Sequence, residues 1–171
     1  SDSDWATDRE NRKSQSSFWL YLGLGPVDWG SSQQGLTALS TAEAELYAKV
    51  EPCKAIVWLR TLLAETKIPA VITKYSSTLF GDNVAADAIG NRKGISAKSK
   101  HFAIKAGFVQ DLVAAGVVSQ EHVDTKLNVA DLGTKVVTKR VFADLTDLSM
   151  GRGSILLPSK RVKTVVSEDY M

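Results

Sequence analysis

Hydrophobic positions along this chain recur with a period that switches from strand-like to helical and back. Phe18 to Leu24 is an apolar, aromatic run, Gly25-Pro26 turns the chain, and Val27-Asp28-Trp29 opens a second short strand ending at Gly30-Ser31-Ser32. The pair predicts an antiparallel hairpin. Residues 6–17, dense in charge, read as a loop. Between Thr41 and Glu65 the chain turns rich in Ala, Leu and Glu, with Leu46, Val50, Ile56, Val57, Leu59, Leu62 and Leu63 giving a mostly helical apolar face. Ser40 followed three residues later by Glu43 is a capping-box signature at the start of that helix. Pro52 inside it lacks a backbone donor and crowds the preceding turn, which predicts a kink or two helices end to end.

Val71-Ile72 and Leu79-Phe80 read as strand pieces, and residues 83–89 as a short helix closed by Gly90. A second long helix is expected from about Ser99 to Ala115, with Phe102, Ile104, Phe108, Leu112 and Val113 on or near one face and Gly116 as its stop. Val117 to Val123 reads as a strand. A last helical region is expected from near Asn128, resuming after Thr138. This alternation predicts a mixed α/β fold. Gly151-Arg152-Gly153-Ser154 divides a domain at 1–149 from a C-terminal basic extension at 150–171 that carries Lys160, Arg161 and Lys163.

Composition narrows the class. With 44% hydrophobic and 23% charged residues in 171, the chain has the balance of an ordinary globular domain rather than a disordered one. No apolar run approaches the roughly 18 residues that span a bilayer. Cys53 is the single cysteine, which excludes an internal disulfide framework and a cysteine-based zinc cluster. That cysteine usage and the polar start of the chain point to an intracellular, reducing compartment.

Charge is unevenly placed. Residues 1–90 carry 8 Lys/Arg and 11 Asp/Glu, whereas residues 91–171 carry 13 and 8. The sharpest block holds Arg92, Lys93, Lys98, Lys100, His101 and Lys105 without an acid among them, a stretch suited either to phosphate contact or to a solvated face. Several acids fall at strand ends or helix starts: Asp2 and Asp4, Glu43 and Glu45, Asp82 and Asp131. Each alone suits a cap or a turn. Together, in a mixed sheet whose strand ends form a crevice, they would repel one another unless they held cations. Oxygen donors without a Cys/His set select Mg²⁺ or Mn²⁺ over zinc.

Several segments, in order, resemble one family. They are Ser1-Asp2-Ser3-Asp4-Trp5-Ala6, Arg12-Lys13-Ser14, Phe18-Trp19-Leu20-Tyr21-Leu22-Gly23 and Ala38-Leu39-Ser40-Thr41-Ala42-Glu43-Ala44-Glu45-Leu46-Tyr47-Ala48. Trp58-Leu59-Arg60-Thr61-Leu62-Leu63, Gly81-Asp82-Asn83, Ser99-Lys100-His101-Phe102 and Asn128-Val129-Ala130-Asp131-Leu132-Gly133-Thr134-Lys135 follow. The set resembles the RNase H domain of copia-type LTR retrotransposon polyproteins over roughly residues 1–136.

The resemblance implies an RNase H-like mixed five-stranded sheet flanked by helices, with most of the first strand lying upstream of Ser1. An upstream polyprotein segment or a partner chain is then expected to complete that strand. It implies cleavage of the RNA strand of RNA–DNA hybrids with two Mg²⁺ or Mn²⁺ ions held by Asp2, Glu45, Asp82 and Asp131. Asp4 and Glu43 fall to structural roles. Asn83 is expected to touch the hybrid, with Arg92, Lys93, Lys98, Lys100, His101 and Lys105 holding RNA or hybrid phosphates. The family's histidine before the last aspartate has no counterpart in the Asp124–Asn128 loop; His122 lies on the preceding strand. The opposing reading is a retroelement-derived domain kept as a non-catalytic structural or RNA-binding subunit.

Overall fold

A computed structural model describes residues 1–23, 25–66, 75–91 and 102–152. The expected strand at Val71-Ile72, the block from Arg92 to His101 and most of the basic extension lie outside the described residues.

Strands β1 (Asp2–Asp4), β2 (Gln15–Leu22) and β3 (Gly25–Gln33) form an antiparallel sheet in that order. Trp19 faces Trp29 across the hairpin, and Asp2 pairs with Ser17. Gly25 and Pro26, expected to turn the chain, already belong to β3, opposite Leu22 and Tyr21. The positive φ of 64° falls on Gly23, where the missing Cβ removes the strain. The ladder slips between Leu20 and Tyr21, the kind of irregularity that accommodates Pro26, which has no N–H to give. The polar Gln15, Ser16 and Ser17, read as loop, are strand because β1 pairs with them.

Helix α1 (Thr41–Glu65) starts on Ser40, whose side chain accepts the Glu43 N–H at 3.2 Å. Glu43 reaches back to the Leu39 N–H at 2.7 Å, so the capping box closes one residue further out than its standard form. Of the two outcomes expected at Pro52, two helices end to end is not what forms: one continuous helix runs through it. Both halves are anchored in the same core, Ala44, Leu46 and Val50 before the proline and Cys53 and Ile56 after it. Burial on both sides outweighs the roughly 3 kcal/mol an interior proline costs.

Strands β4 (Ser77–Gly81) and β5 (Val118–His122) form a parallel pair. Between them lie α2 (Val84–Gly90) and α3 (Ala103–Ala114), whose Ala106 and Val109 join Leu79 and Val118 in the core. The fully buried Lys49 of α1 ion-pairs with Asp87 of α2 and donates to Gln120 of β5 at 2.9 Å. Two 3₁₀ turns, Thr125–Leu127 and Val129–Gly133, lead to α4 (Lys139–Ser149), capped by Thr138.

The architecture is mixed α/β, but the described residues do not build the expected five-stranded sheet; they build sheets of three and two strands. β1 is three residues long, and a single backbone contact carries it toward β4: the Ser1 nitrogen donates to the Phe80 carbonyl at 2.9 Å. One such bond brings the sheets edge to edge without making a ladder. Beside Ser1, β2, α1 and β4 line a cavity of about 470 Å³. Leu20, Ile56, Leu63, Leu79, Leu127 and Leu148 are among its lining residues.

Candidate metal centre

Three acids from three segments meet where the two sheets touch. Asp2 lies on β1, Asp82 directly follows β4, and Asp131 lies in the second 3₁₀ turn. Each offers a carboxylate oxygen within 4.8 Å of those of the other two. Asp2 is 1% exposed and Asp131 8%, while Asp82 is half-buried.

Local structure sets each position. Asn83 begins α2 immediately after Asp82, its Oδ1 accepting the Ala86 N–H at 3.0 Å. The residue expected to touch a hybrid therefore serves as a helix cap. Asn128 does the same for the second turn, and its side-chain amide donates to Asp2 Oδ1 at 3.3 Å and to the Ser1 carbonyl at 3.4 Å. Thr134 also donates to Asp2. The turn lies hard against the hairpin: Ser31 donates to the Gly133 carbonyl at 2.5 Å, and a Cβ on Gly133 would strike Ser17. Only glycine permits that approach, which brings Asp131 to Asp2.

Glu45, the fourth residue expected here, is not part of the triangle. It rises from α1 and accepts the Ser3 N–H on Oε1 at 3.1 Å; Oε2 is buried without a hydrogen-bond partner. Burial, reinforced by the charges of Asp2 and Asp82, pushes its carboxyl up to about 8. Burial and the Asp2 charge likewise raise Asp131 to about 6, with Lys135 pulling the other way. Asp4 is half-buried at the far end of β1, and the Glu43 carboxylate accepts Leu39 N–H and, at 2.6 Å, the Tyr47 hydroxyl. Glu43 fills the capping place expected of it.

Sequence reasoning missed the cation beside the acids. Lys135 Nζ lies 3.1 Å from Asp131 Oδ1 and 3.4 Å from Asp2 Oδ2. Burial opposes its charge, yet Asp2 and Asp131 outweigh that and hold its pKa above the usual lysine value. The available signal was the i, i+4 spacing of Asp131 and Lys135. Of the basic block, Lys105 alone is described; its ammonium lies 3.5 Å from the centre of the Tyr47 ring. His122 ends β5 as an exposed strand residue.

Donor chemistry fits a hard divalent cation: three converging carboxylates, a fourth with an unpartnered buried oxygen, and neither sulfur nor imidazole among them.

The chain's relatives over most of its length are retrovirus-related Pol polyproteins. It is 30% identical to the Retrovirus-related Pol polyprotein from transposon RE1 of Arabidopsis thaliana across 83% of this chain and 10% of that protein. It is 29% identical to the polyprotein from transposon TNT 1-94 of Nicotiana tabacum across 82% of this chain and 10% of that one. A shorter stretch, 39% of this chain and 47% of the relative, is 42% identical to Secreted RxLR effector protein 161 of Plasmopara viticola. The chain thus spans about a tenth of the length of the polyproteins it matches. No family model and no solved structure matches it. Among the described residues no helix is long and apolar enough to cross a membrane.

Proposed function

We propose that this chain is a retroelement-derived RNase H-type domain that cuts the RNA strand of RNA–DNA hybrids with divalent metal ions. The convergence of Asp2, Asp82 and Asp131, with the unpartnered oxygen of Glu45 beside them, carries the reading. Asp2, Asp82, Asp131 and Glu45 would hold two Mg²⁺ or Mn²⁺ ions. Bound there, such ions supply an activated water and stabilise the leaving 3′ oxygen. The protein's own part is to hold the acids together against their repulsion. Asn128 and Thr134 fix Asp2, and the Gly133 contact fixes the turn that carries Asp131. Glu45 has its carboxyl raised chiefly by burial and further by the charges of Asp2 and Asp82. Arg92, Lys93, Lys98, Lys100, His101 and Lys105 would hold hybrid phosphates, which position a duplex without reading its sequence.

The same reading assigns the apolar cavity beyond Ser1 to an extended segment running between β2 and β4, from upstream in a polyprotein or from a partner chain. Among the described residues β1 covers β2 only as far as Ser17 and β4 pairs only with β5, which favours an added strand over any compact ligand. That cavity also favours the second reading, a domain kept as a non-catalytic subunit of an assembly.

One assay separates the two. The chain is incubated with a labelled RNA–DNA hybrid in Mg²⁺, in Mn²⁺ and in chelator, alone and with its upstream segment attached. Metal-dependent loss of the RNA strand supports the nuclease. Cleavage that persists in chelator overturns the metal mechanism. A folded, complete domain that binds hybrid or RNA without cutting leaves the subunit reading.

A further inference from the structure

The cation already among the acids is Lys135. Its ammonium contacts two of the three converging carboxylates, at 3.1 Å and 3.4 Å, and its side chain is about one-third exposed. An ammonium so close to Asp2 and Asp131 takes up oxygen lone pairs that a divalent ion would need. It also repels that ion at contact range, where a unit charge in a half-buried site is poorly screened. Lys135 is held from its own backbone as well, its N–H donating to the Asp131 carbonyl at 3.1 Å. The four-carbon stem can swing outward while the turn stays in place, because the head already borders solvent.

Resting on the metal reading above, we propose that Lys135 is a resident counter-ion that occupies the acidic cluster of the cation-free chain and is expelled when a divalent ion binds. It keeps the cluster assembled in the absence of metal and lowers the affinity for metal by competing for it. Asp2 and Asp131 thereby exchange one positive partner for another instead of facing each other bare.

The test is Mn²⁺ binding to the full 171-residue chain, followed by calorimetry and by loss of the free-ion paramagnetic resonance signal. Lys135→Met should bind Mn²⁺ at least about tenfold more tightly than the unsubstituted chain, and Lys135→Arg no more tightly. Expulsion has its own readout: acylation of Lys135, read by mass spectrometry, should speed up when Mn²⁺ replaces chelator. Equal affinity in the unsubstituted and Lys135→Met chains, with binding lost in Asp82→Asn, overturns the counter-ion while the metal reading stands. Tighter binding by Lys135→Met without a change in labelling overturns expulsion. If none of the chains binds Mn²⁺, or Asp82→Asn binds it as well as the others, the metal reading falls and this inference with it.

Discussion

Two regions meet at the start of β1, an acidic end and an apolar end, and they are built in opposite ways. At Asp2 the chain is enclosed by polar partners: Asn128, Thr134 and Lys135 all address one buried carboxylate. Beside Ser1 lies a cavity of about 470 Å³ lined by apolar side chains from β2, α1 and β4, with no strand between them among the described residues. The acidic end is under electrostatic tension, with Asp2 held by hydrogen bonds and Glu45 Oε2 buried without a partner among the described residues. The apolar end carries little charge but is not covered. The difference shows that three residues of a strand are enough to place a carboxylate among distant partners, whereas covering an apolar surface takes a longer run of side chains.

The largest effect should come from breaking the acidic end. Asp82→Asn removes charge with almost no change of volume, so hybrid cleavage should fall to background while the thermal melt is unchanged or rises slightly. A large drop in melting temperature would instead make Asp82 a structural residue. Next comes the framework shared by both ends. Lys49→Ala leaves Asp87 buried and unpaired, which should cost about 3–5 kcal/mol. Pairing Lys49→Met with Asp87→Leu should recover much of that loss in denaturant titrations, as expected when two buried charges are removed together.

The apolar end gives the third test. Adding a short strand-forming segment with two large aliphatic residues ahead of Ser1 should raise stability by about 2–4 kcal/mol if it fills the cavity. Binding of a hydrophobic dye should fall in parallel. An unchanged melt and unchanged dye binding would mean that the sheet edges close without an added strand.

The fourth effect is smaller and depends on pH. Glu45 is raised from 4.5 to about 8 in the folded chain, so between those values the native state binds more protons than the unfolded one. Its contribution to stability is full below about 4.5 and is lost as pH rises through about 8. Metal-free Glu45→Gln should therefore gain stability relative to the unsubstituted chain across that window, and comparing the two melts cancels the other titrating groups. A gap that shrinks as pH rises would reverse the assignment. The smallest effect belongs to the basic block. Lys98→Ala, Lys100→Ala and Lys105→Ala together should weaken hybrid binding and flatten its salt dependence, by a log–log slope of up to roughly 0.9 per lost phosphate contact on duplex DNA. An unchanged slope would make the block a solvated face.

Much of this was legible along the chain. The hairpin, the helix from Thr41 to Glu65, the short helix after Asp82 and the strand before Asp124 all lie where periodicity and caps placed them. The errors have local causes. Pro52 predicted a kink or two helices because helix propensity is counted residue by residue, and packing on both sides of it keeps one continuous helix. The cap role of Asn83, whose Oδ1 accepts the Ala86 N–H, was readable from an Asn directly before a helix and was passed over. Lys135 was passed over because its partner Asp2 lies at the other end of the chain.

What the sequence determined by itself is therefore local: which segments are strand or helix, where each starts, and that the acids occur at such boundaries. Hydrophobic period, caps and glycine stops act over a few residues and need no distant partner. Tertiary structure alone decided that Asp2, Asp82 and Asp131 share one site, that Glu45 stands outside their triangle, that a lysine sits among them, and that the described strands form sheets of three and two. Those outcomes depend on Coulomb interactions, on strand pairing and on close packing between segments far apart in the chain, and only the folded arrangement sets those distances.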